Sequence, residues 1–441
     1  MGLMAIGLVA GCGDGQRPVL IVPTHTVSTA QNTAQPPAPS GQRENYGQAL
    51  TTLSRSIDTA LGQVRSQPDN LALAQETVLL YLERARLNGN MDDYQSAQAL
   101  LDEGAARARN GAQLCQAQAR LHFALHRLQQ ARAALGLCSA TMDPTESAAL
   151  SADIALYSGQ YQAAEAIYRD LVNQLGHSSH YIRLALFRLN TGAPGEAAAL
   201  LEAAEKRYHG GSSATRAWLK LQRGLVALER GRLDEALALY QLAADAMPDW
   251  WLVDEHIAEI RRLTGDRAGA IALLEPLVAR HGLPEHMDEL ARLLHEGEQP
   301  EAALPWIARA RAIYRARLAA FPQAGAGHAV KHFLEFGTPG EALDLARRNA
   351  HMRPYGDAQI SLATILLRSG QTDAALALIG QVQDSGWRTA RLYAVAAQIH
   401  AAAGQNTVAD AHRARALAMN PHAMRLFQIP HPALAGHMSL G

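Results

Sequence analysis

The sequence has little charge, few aromatic side chains and three cysteines. Charged residues make up 18% of the 441 residues, and the formal net charge is −1 at pH 7, whereas an average soluble protein has about 25% charged residues. Proteins that bind nucleic acid carry a basic face, so this balance argues against a nucleic-acid partner. The chain exceeds the usual size of a single core, which predicts several domains or a repeat array.

A long hydrophobic run is also missing, since a membrane-spanning helix needs about 20 apolar residues. The run from Leu3 to Ala10 is much shorter and ends in small residues before Cys12. This pattern predicts a secretory signal that is removed, although no Lys or Arg precedes it. "LVAGC", ending at Cys12, resembles the bacterial lipoprotein box. The resemblance implies a diacylated, palmitate-bearing Cys12 that anchors the protein to a membrane. A chance apolar start is the alternative.

The segment after Cys12 is rich in Thr, Ser, Gln, Pro and Ala, a composition that does not fold and suits a flexible tether. Gly13 stands where enteric lipoproteins retained at the inner membrane carry aspartate, so the resemblance implies an outer-membrane lipoprotein facing the periplasm. We therefore expect a signal peptide at 1–11, an acylated cysteine and linker at 12–45, N-terminal capping helices at 46–77, a repeat region at 78–423 and a tail at 424–441.

Alanines recur at intervals of 33, 34 or 39 residues along most of the chain. A second small residue recurs twelve positions upstream of most of them, with Val330 as the exception, and a glycine often lies five positions upstream. The recurring anchors are Ala97, Ala131, Ala164, Ala197, Ala236, Ala270, Ala303, Ala342, Ala375 and Ala409.

The stretch "GRLDEALALYQLAADAMP", residues 231–248, shows the unit most clearly. Gly224, Ala236, Tyr240 and Pro248 fall on the signature offsets of the tetratricopeptide repeat (TPR), which the sequence resembles over about residues 78–423. The resemblance implies an all-α fold: a right-handed α-solenoid of about ten helix–turn–helix repeats, preceded by an N-terminal capping helix.

Cys115 and Cys138 lie in one repeat, equally far from the turn expected at His126–Arg127. Residues equidistant from the turn of an antiparallel hairpin face each other, and disulfides persist in exported proteins. We therefore expect a structural disulfide between them. Two buried free thiols are the alternative.

Motifs for catalysis, phosphate binding or zinc binding are not found, so we predict no enzyme, no catalytic residues, no cofactor and no metal site. His328 and His332 lie one helical turn apart near Glu335, a spacing that suits a metal. The repeat register favours two solvent-exposed histidines instead. "QAGAGH", residues 323–328, is expected in an insertion between repeats, and Trp250 is a candidate binding aromatic.

The resemblance places the concave face on the first helix of each repeat. This rule predicts a partner or ligand groove that is apolar at its centre and charged towards the C-terminal half. Lys220 and Arg223 would also point inwards, which suggests the alternative that their helix is rotated and the apolar stripe is core. The predicted groove residues are Ile182, Leu186, Leu189, Trp218, Leu221, Leu225, Leu228, Arg262 and Arg292.

Two functions follow from these patterns. Arrays of this kind hold other molecules on an extended concave surface, so the first is a membrane-anchored scaffold for protein partners of an envelope assembly, secretion or export system. The second is a carrier that binds a lipid, sterol or hopanoid in the apolar groove and moves it between membranes.

Overall fold

The structure, a computed structural model, describes residues 44–109, 111–138 and 141–429. The expected signal peptide, Cys12 and most of the expected linker lie outside these residues, as does the tail after Ile429. Within the described ranges the chain is all-α and forms no sheet, and none of the helices is long and apolar enough to cross a membrane.

Twenty-two α-helices follow one another along the described chain. They are α1 Tyr46–Ser66, α2 Leu71–Asn88, α3 Asp92–Arg107, α4 Cys115–Ala124, α5 Leu128–Leu137, α6 Pro144–Tyr157, α7 Tyr161–Gln174, α8 Ser178–Asn190, α9 Pro194–Lys206, α10 Ser213–Glu229, α11 Leu233–Ala246, α12 Trp251–Leu263, α13 Arg267–His281, α14 Pro284–Glu296, α15 Pro300–Ala320, α16 Pro322–Phe336, α17 Pro339–Met352, α18 Gly356–Arg368, α19 Thr372–Asp384, α20 Ala390–Ala402, α21 Asn406–Met419 and α22 Ala423–Leu426.

Helices α2 to α21 pack as ten consecutive hairpins, each a first helix followed by an antiparallel second helix. All ten anchor alanines lie on second helices and are at most 2% exposed. The small residue twelve positions upstream lies on the first helix, where Gly224 gives the closest approach: a Cβ there would overlap the Tyr240 ring. The predicted all-α solenoid of TPR-like hairpins is therefore confirmed.

Helix α1, the first described helix, begins directly after its capping residue Asn45. Asn45 accepts a hydrogen bond from the Gln48 amide while the Gln48 side chain accepts one from the Asn45 amide, which is the reciprocal capping box of a helix start. Leu53 and Ile57 on α1 are buried against the hairpin that follows. At the other end, the short α22 packs on α20 and α21.

Cys115 and Cys138 form a disulfide with a Cα–Cα distance of 5.5 Å. The reversal between α4 and α5 falls at residues 125–127, where His126 adopts a left-handed backbone with φ of 59°. The expected turn is therefore in place, and the bridge joins the two ends of this hairpin.

The two 39-residue intervals arise in different ways. The first contains a longer loop between α9 and α10, at residues 207–212. In the second interval the helices are longer and the loop is short. α15 has 21 residues, and α16 begins at Pro322 with only Phe321 between the two helices. "QAGAGH" therefore lies within α16, which corrects the expectation of an inter-repeat insertion at these residues.

The solenoid also makes contacts between residues far apart in sequence, and we call this set of contacts the inter-turn seam. The Gly356 amide donates to the Tyr161 hydroxyl (2.8 Å) across 195 positions, and the Asn420 carboxamide donates to the Leu228 carbonyl (3.0 Å) across 192. The Trp251 indole N–H donates to the Leu87 carbonyl (3.0 Å) across 164 positions. Repeats about five or six apart therefore touch.

Glu298 sits at the turn of the α14–α15 hairpin with φ of 60°, where seven other hairpins have a glycine with positive φ. A side chain costs about 1–2 kcal/mol in this conformation, although glycine also gains entropy in the unfolded chain. We expect Glu298→Gly to raise the free energy of unfolding by up to about 1 kcal/mol, measured by urea denaturation. Gly370→Ala is the matched opposite: φ is 73° and its Cβ would meet open space, so strain alone should lower stability. Equal stability of all three proteins would contradict this account.

Candidate functional site: the inner face of the solenoid

The apolar stripe expected to line a groove is packed inside the protein. Its members on α8 and α10 are at most 8% exposed, apart from the partly buried Leu225, and they share one core with α12 and α14. Lys220 and Arg223 turn away from this core and both bind the carboxylate of Glu205 on α9. The expectation of an open apolar groove is thus corrected. The corrected residues are Ile182, Leu186, Leu189, Trp218, Leu221, Leu225 and Leu228.

The physical reason is that a first helix is covered on two sides. One side packs on the second helix of its own hairpin. The other side packs on neighbouring first helices and takes part in the contacts of the inter-turn seam. On α8 both Ile182 and Phe187 are buried, although they lie on different faces. A helix that is buried nearly all round has no free face to offer a ligand.

The two arginines predicted for the charged half of the groove belong to one buried ionic network. Arg262 Nε lies 2.9 Å from Glu289 Oε1, and Arg292 binds both Glu289 and Glu335, the latter at 2.7 Å. Burial acts to raise the pKa of Glu289, but the charges of Arg292 and Arg262 outweigh it and lower this pKa to about 2. These arginines join α12, α14 and α16, so their charge is used within the fold.

His328 and His332 do not point into solvent, which corrects the expectation of a solvated polar face. His332 is fully buried and its Nδ1 lies 2.7 Å from Asp288 Oδ1, while His328 is half-buried with Nδ1 3.4 Å from Glu285. The expected neighbour Glu335 pairs with Arg292 instead. In the part of the chain that the structure describes, no group of three or more His, Cys, Asp or Glu residues could hold a metal.

Similar buried pairs join first helices in the N-terminal half, and sequence analysis did not find them. Arg120 lies 2.9 Å from Glu146, and Arg183 lies 3.0 Å from Asp153, which also accepts a hydrogen bond from the Tyr168 hydroxyl (2.8 Å). Opposite charges about one repeat apart on successive first helices were the available signal.

Trp250, the candidate binding aromatic, is 1% exposed and immediately precedes α12. Its neighbour Trp251 is also buried and contacts His286 edge-on as well as bonding to Leu87. Both tryptophans therefore hold helices together. A small cavity nearby is lined by His126, Glu285 and Arg317. Its volume is about 20 Å³, which is room for about one water molecule.

A larger cleft lies on the inner side of the last three hairpins, and we call it the C-terminal cleft. Its volume is about 50 Å³, which is space for a few water molecules. Its lining combines apolar walls with a few polar groups. The lining residues are Val330, Lys331, Leu334 and Glu335 of α16, Ser361 and Thr364 of α18, Arg391 and Val395 of α20, and Phe427, Gln428 and Ile429.

Most charges in this cleft are already bound. Glu335 pairs with Arg292, as described above, and Arg391 donates to Ser361 Oγ (3.1 Å) and lies 3.6 Å from Asp357. Lys331 makes no ion pair within 4.0 Å among the described residues, although its charge helps to lower the pKa of Glu289. Lys331 is therefore the charge that the cleft can still offer.

The residues after α22 form one wall of the C-terminal cleft. The Gln398 side chain on α20 donates to the Phe427 carbonyl (2.9 Å) and accepts from the Ile429 amide (2.8 Å). Phe427 and Ile429 are half-buried against the core, whereas Gln428 between them is exposed. One side chain thus binds the backbone on both sides of an exposed residue. Gln398 was not among the residues predicted from the sequence.

Comparisons with known proteins find distant likenesses to solved structures. No family model and no curated protein matches the chain. A tetratricopeptide repeat protein from Parabacteroides merdae is 17% identical, with a TM-score of 0.35, over 57% of this chain and 98% of that one. The human IFIT1 dimer with PPP-AAAA is 16% identical, with a TM-score of 0.40, over 83% and 87%. MamA is 13% identical, with a TM-score of 0.32, over 40% and 98%.

Likenesses this weak carry no function across. The fold assignment stands on the ten hairpins and their buried anchor alanines. The chain is a TPR-like α-solenoid.

Proposed function

We propose that the protein is a binding scaffold that docks a segment of a partner protein in the C-terminal cleft. The observation that carries this proposal is that the Gln398 side chain donates to the Phe427 carbonyl and accepts from the Ile429 amide. Recognition through main-chain hydrogen bonds is a general way of holding a non-helical peptide segment. The cleft beside these bonds has apolar walls and the cationic Lys331, which makes no ion pair within 4.0 Å among the described residues and lies near the carboxylates of Asp288 and Glu289. These features suit a peptide with apolar side chains and an acidic residue.

The carrier hypothesis depended on the apolar stripe of α8 and α10. Those side chains pack against other helices, apart from the partly buried Leu225, and this packing does not support the carrier. The scaffold is the function that the geometry favours.

A photoreactive residue at Leu334, which lines the cleft and leaves Lys331 in place, tests the scaffold in cells. We expect it to crosslink one or a few proteins, each through a short acidic segment that mass spectrometry maps to one site. The matched control is a photoreactive residue at Leu242, which is exposed on α11 outside the cleft. Identical adducts at both positions would contradict docking in the cleft, as would a single lipid at one-to-one stoichiometry in an organic extract of the purified protein.

We further propose that the scaffold works from a bacterial membrane, on the outer-membrane side facing the periplasm, in an envelope assembly, secretion or export system. The support is the lipoprotein-like sequence at Cys12, followed by a tether-like composition up to the first helix.

Cys12→Ala should abolish labelling by a palmitate analogue and move the protein from the membrane fraction to the soluble fraction. Acyl chains contribute about 0.8 kcal/mol per buried methylene, so their loss removes the anchor. Fractionation after metabolic labelling measures both effects, and Cys115→Ala serves as the cysteine control that keeps its label. Persistent labelling of Cys12→Ala would overturn the anchor.

A further inference from the structure

The segment Phe427–Ile429, which we call the strap, forms one wall of the C-terminal cleft, and the Gln398 side chain holds its backbone. Gln398 Nε2 and Oε1 both bond to it, at 2.9 and 2.8 Å. One carboxamide thus bonds to the carbonyl of one residue and to the amide of the residue two positions later. The backbone of an adjacent strand makes the same pair of bonds at a sheet edge. These bonds depend on the backbone and not on the strap's own side chains.

The side chains of the strap add contacts that another peptide could reproduce. Phe427 packs beside Tyr393 and Ala394 of α20, and Ile429 packs against the large core that contains Val395. Phe427 and Ile429 are half-buried, and the exposed Gln428 lines the cleft together with Lys331. An apolar–polar–apolar segment of any chain meets the same requirements.

The charge of the cleft is not matched by the strap. Lys331 and Arg391 both line the cleft, and Arg391 is already held by Ser361 and by Asp357. The strap itself contains no acidic residue. An acidic side chain on a competing segment would therefore gain an attraction to Lys331 that the strap does not make.

We propose that the strap is an intramolecular occupant of the peptide site, and that an acidic peptide segment of a partner displaces it from Gln398. This inference rests on the proposed function, because it presumes that the cleft is a docking site. The partner is defined by its chemistry: an apolar–acidic–apolar segment read through its backbone. A neutral segment would make only the contacts that the strap already makes, so it would gain little by displacing the strap. The strap therefore makes the site selective for acidic segments.

The test uses full-length protein and two fluorescent peptides, one with residues 424–431 (MRLFQIPH) and one with Glu in place of Gln428 (MRLFEIPH). Phe427→Ala/Ile429→Ala should release the strap. By anisotropy, we expect MRLFQIPH to bind this variant about tenfold more tightly than the wild type, because the internal competitor is weakened. Gln398→Leu in the same background should remove that binding.

The acidic peptide tests the displacement step. MRLFEIPH should bind the wild type about tenfold more tightly than MRLFQIPH at low salt, with the difference falling in about 0.5 M NaCl as screening increases. Lys331→Gln should remove the preference for Glu. Ile429→Ala alone, which changes a residue beyond the last helix, replaces the double variant if the latter loses its helical circular dichroism.

The possible results distinguish failure of the strap proposal from failure of docking in the cleft. Equal binding of MRLFQIPH to the wild type and to the released variants would overturn the strap as an occupant. If the Leu334 crosslinks to a partner persist in that case, docking in the cleft stands without the strap. Binding of neither peptide, together with loss of the specific crosslinks, would overturn both.

Discussion

Arg292→Met should lower the free energy of unfolding by about 3–5 kcal/mol, the usual cost of removing one partner from a buried ion pair. Arg292 binds Glu289 and Glu335, and both carboxylates are buried between α14 and α16. Without the guanidinium, two buried carboxylates would lose their shared partner, and Arg262 and Lys331 would remain as the cations near Glu289. Urea denaturation followed by circular dichroism measures the loss.

Two further variants identify uncompensated charge as the cause. Glu335→Gln in the Arg292→Met background should restore about 1–2 kcal/mol, since double-mutant coupling within one network is about 0.5–3 kcal/mol. Arg413→Met removes the exposed pair with Asp410 and should change stability by less than about 0.5 kcal/mol. If Arg292→Met costs no more than Arg413→Met, the network does not support the fold.

The same network sets an acid limit. The pKa of Glu289 is about 2 in the folded protein against an ordinary value of 4.5. A carboxylate with a depressed folded pKa stabilises above the unfolded value, and this stabilisation is lost as the pH falls from 4.5 towards 2. In Arg292→Met the largest charge lowering that pKa is gone, so the acid-side loss measured at several pH values should be smaller.

The repeat register could be predicted from the sequence because it depends on close contacts within one hairpin. A small side chain is needed where two helices cross, so each anchor alanine is repeated at the period of the fold. The facing positions of Cys115 and Cys138 follow from the same hairpin geometry. Each of these features is decided within about 35 residues.

The inner face could not be predicted in this way. Whether Leu221 lines an open groove or a core depends on how tightly the solenoid winds, and winding accumulates small rotations over several repeats. His332 shows the consequence: Ala329 and Phe333 lie on one buried face of α16, and a second buried face takes the histidine that was expected in solvent. A single apolar stripe does not reveal a helix that is covered on two sides.

The C-terminal cleft escaped prediction for a different reason. Its elements come from three hairpins and from residues after the last helix, and Gln398 resembles any polar residue on a helix until its bonds to Phe427 and Ile429 are seen. Backbone recognition by a side chain needs no sequence motif. The site therefore becomes visible through geometry alone.

Trp251→Ala should open the inter-turn seam and lower the free energy of unfolding by about 3–5 kcal/mol, as expected for deletion of a buried aromatic side chain. Trp251 is fully buried, bonds to the Leu87 carbonyl and lies beside His286. It thus ties the first hairpin to α12 and α14. We expect faster hydrogen exchange at residues 80–88 of α2, with little change in the distant α20.

Two tryptophan variants separate the seam from a general loss of packing. Trp251→Phe keeps most of the ring but removes the N–H donor, so it should cost about 1 kcal/mol and leave α2 largely protected. Trp306→Ala removes a half-buried indole on α15 and should leave exchange in α2 unchanged. If Trp251→Ala destabilises the protein but exchange in α2 rises no more than in α20, the hairpins unfold together and the seam is not a separate unit. Exchange confined to α2 would instead show that the seam keeps the inner face closed, because α2 is then held by α12 and not by its own hairpin alone.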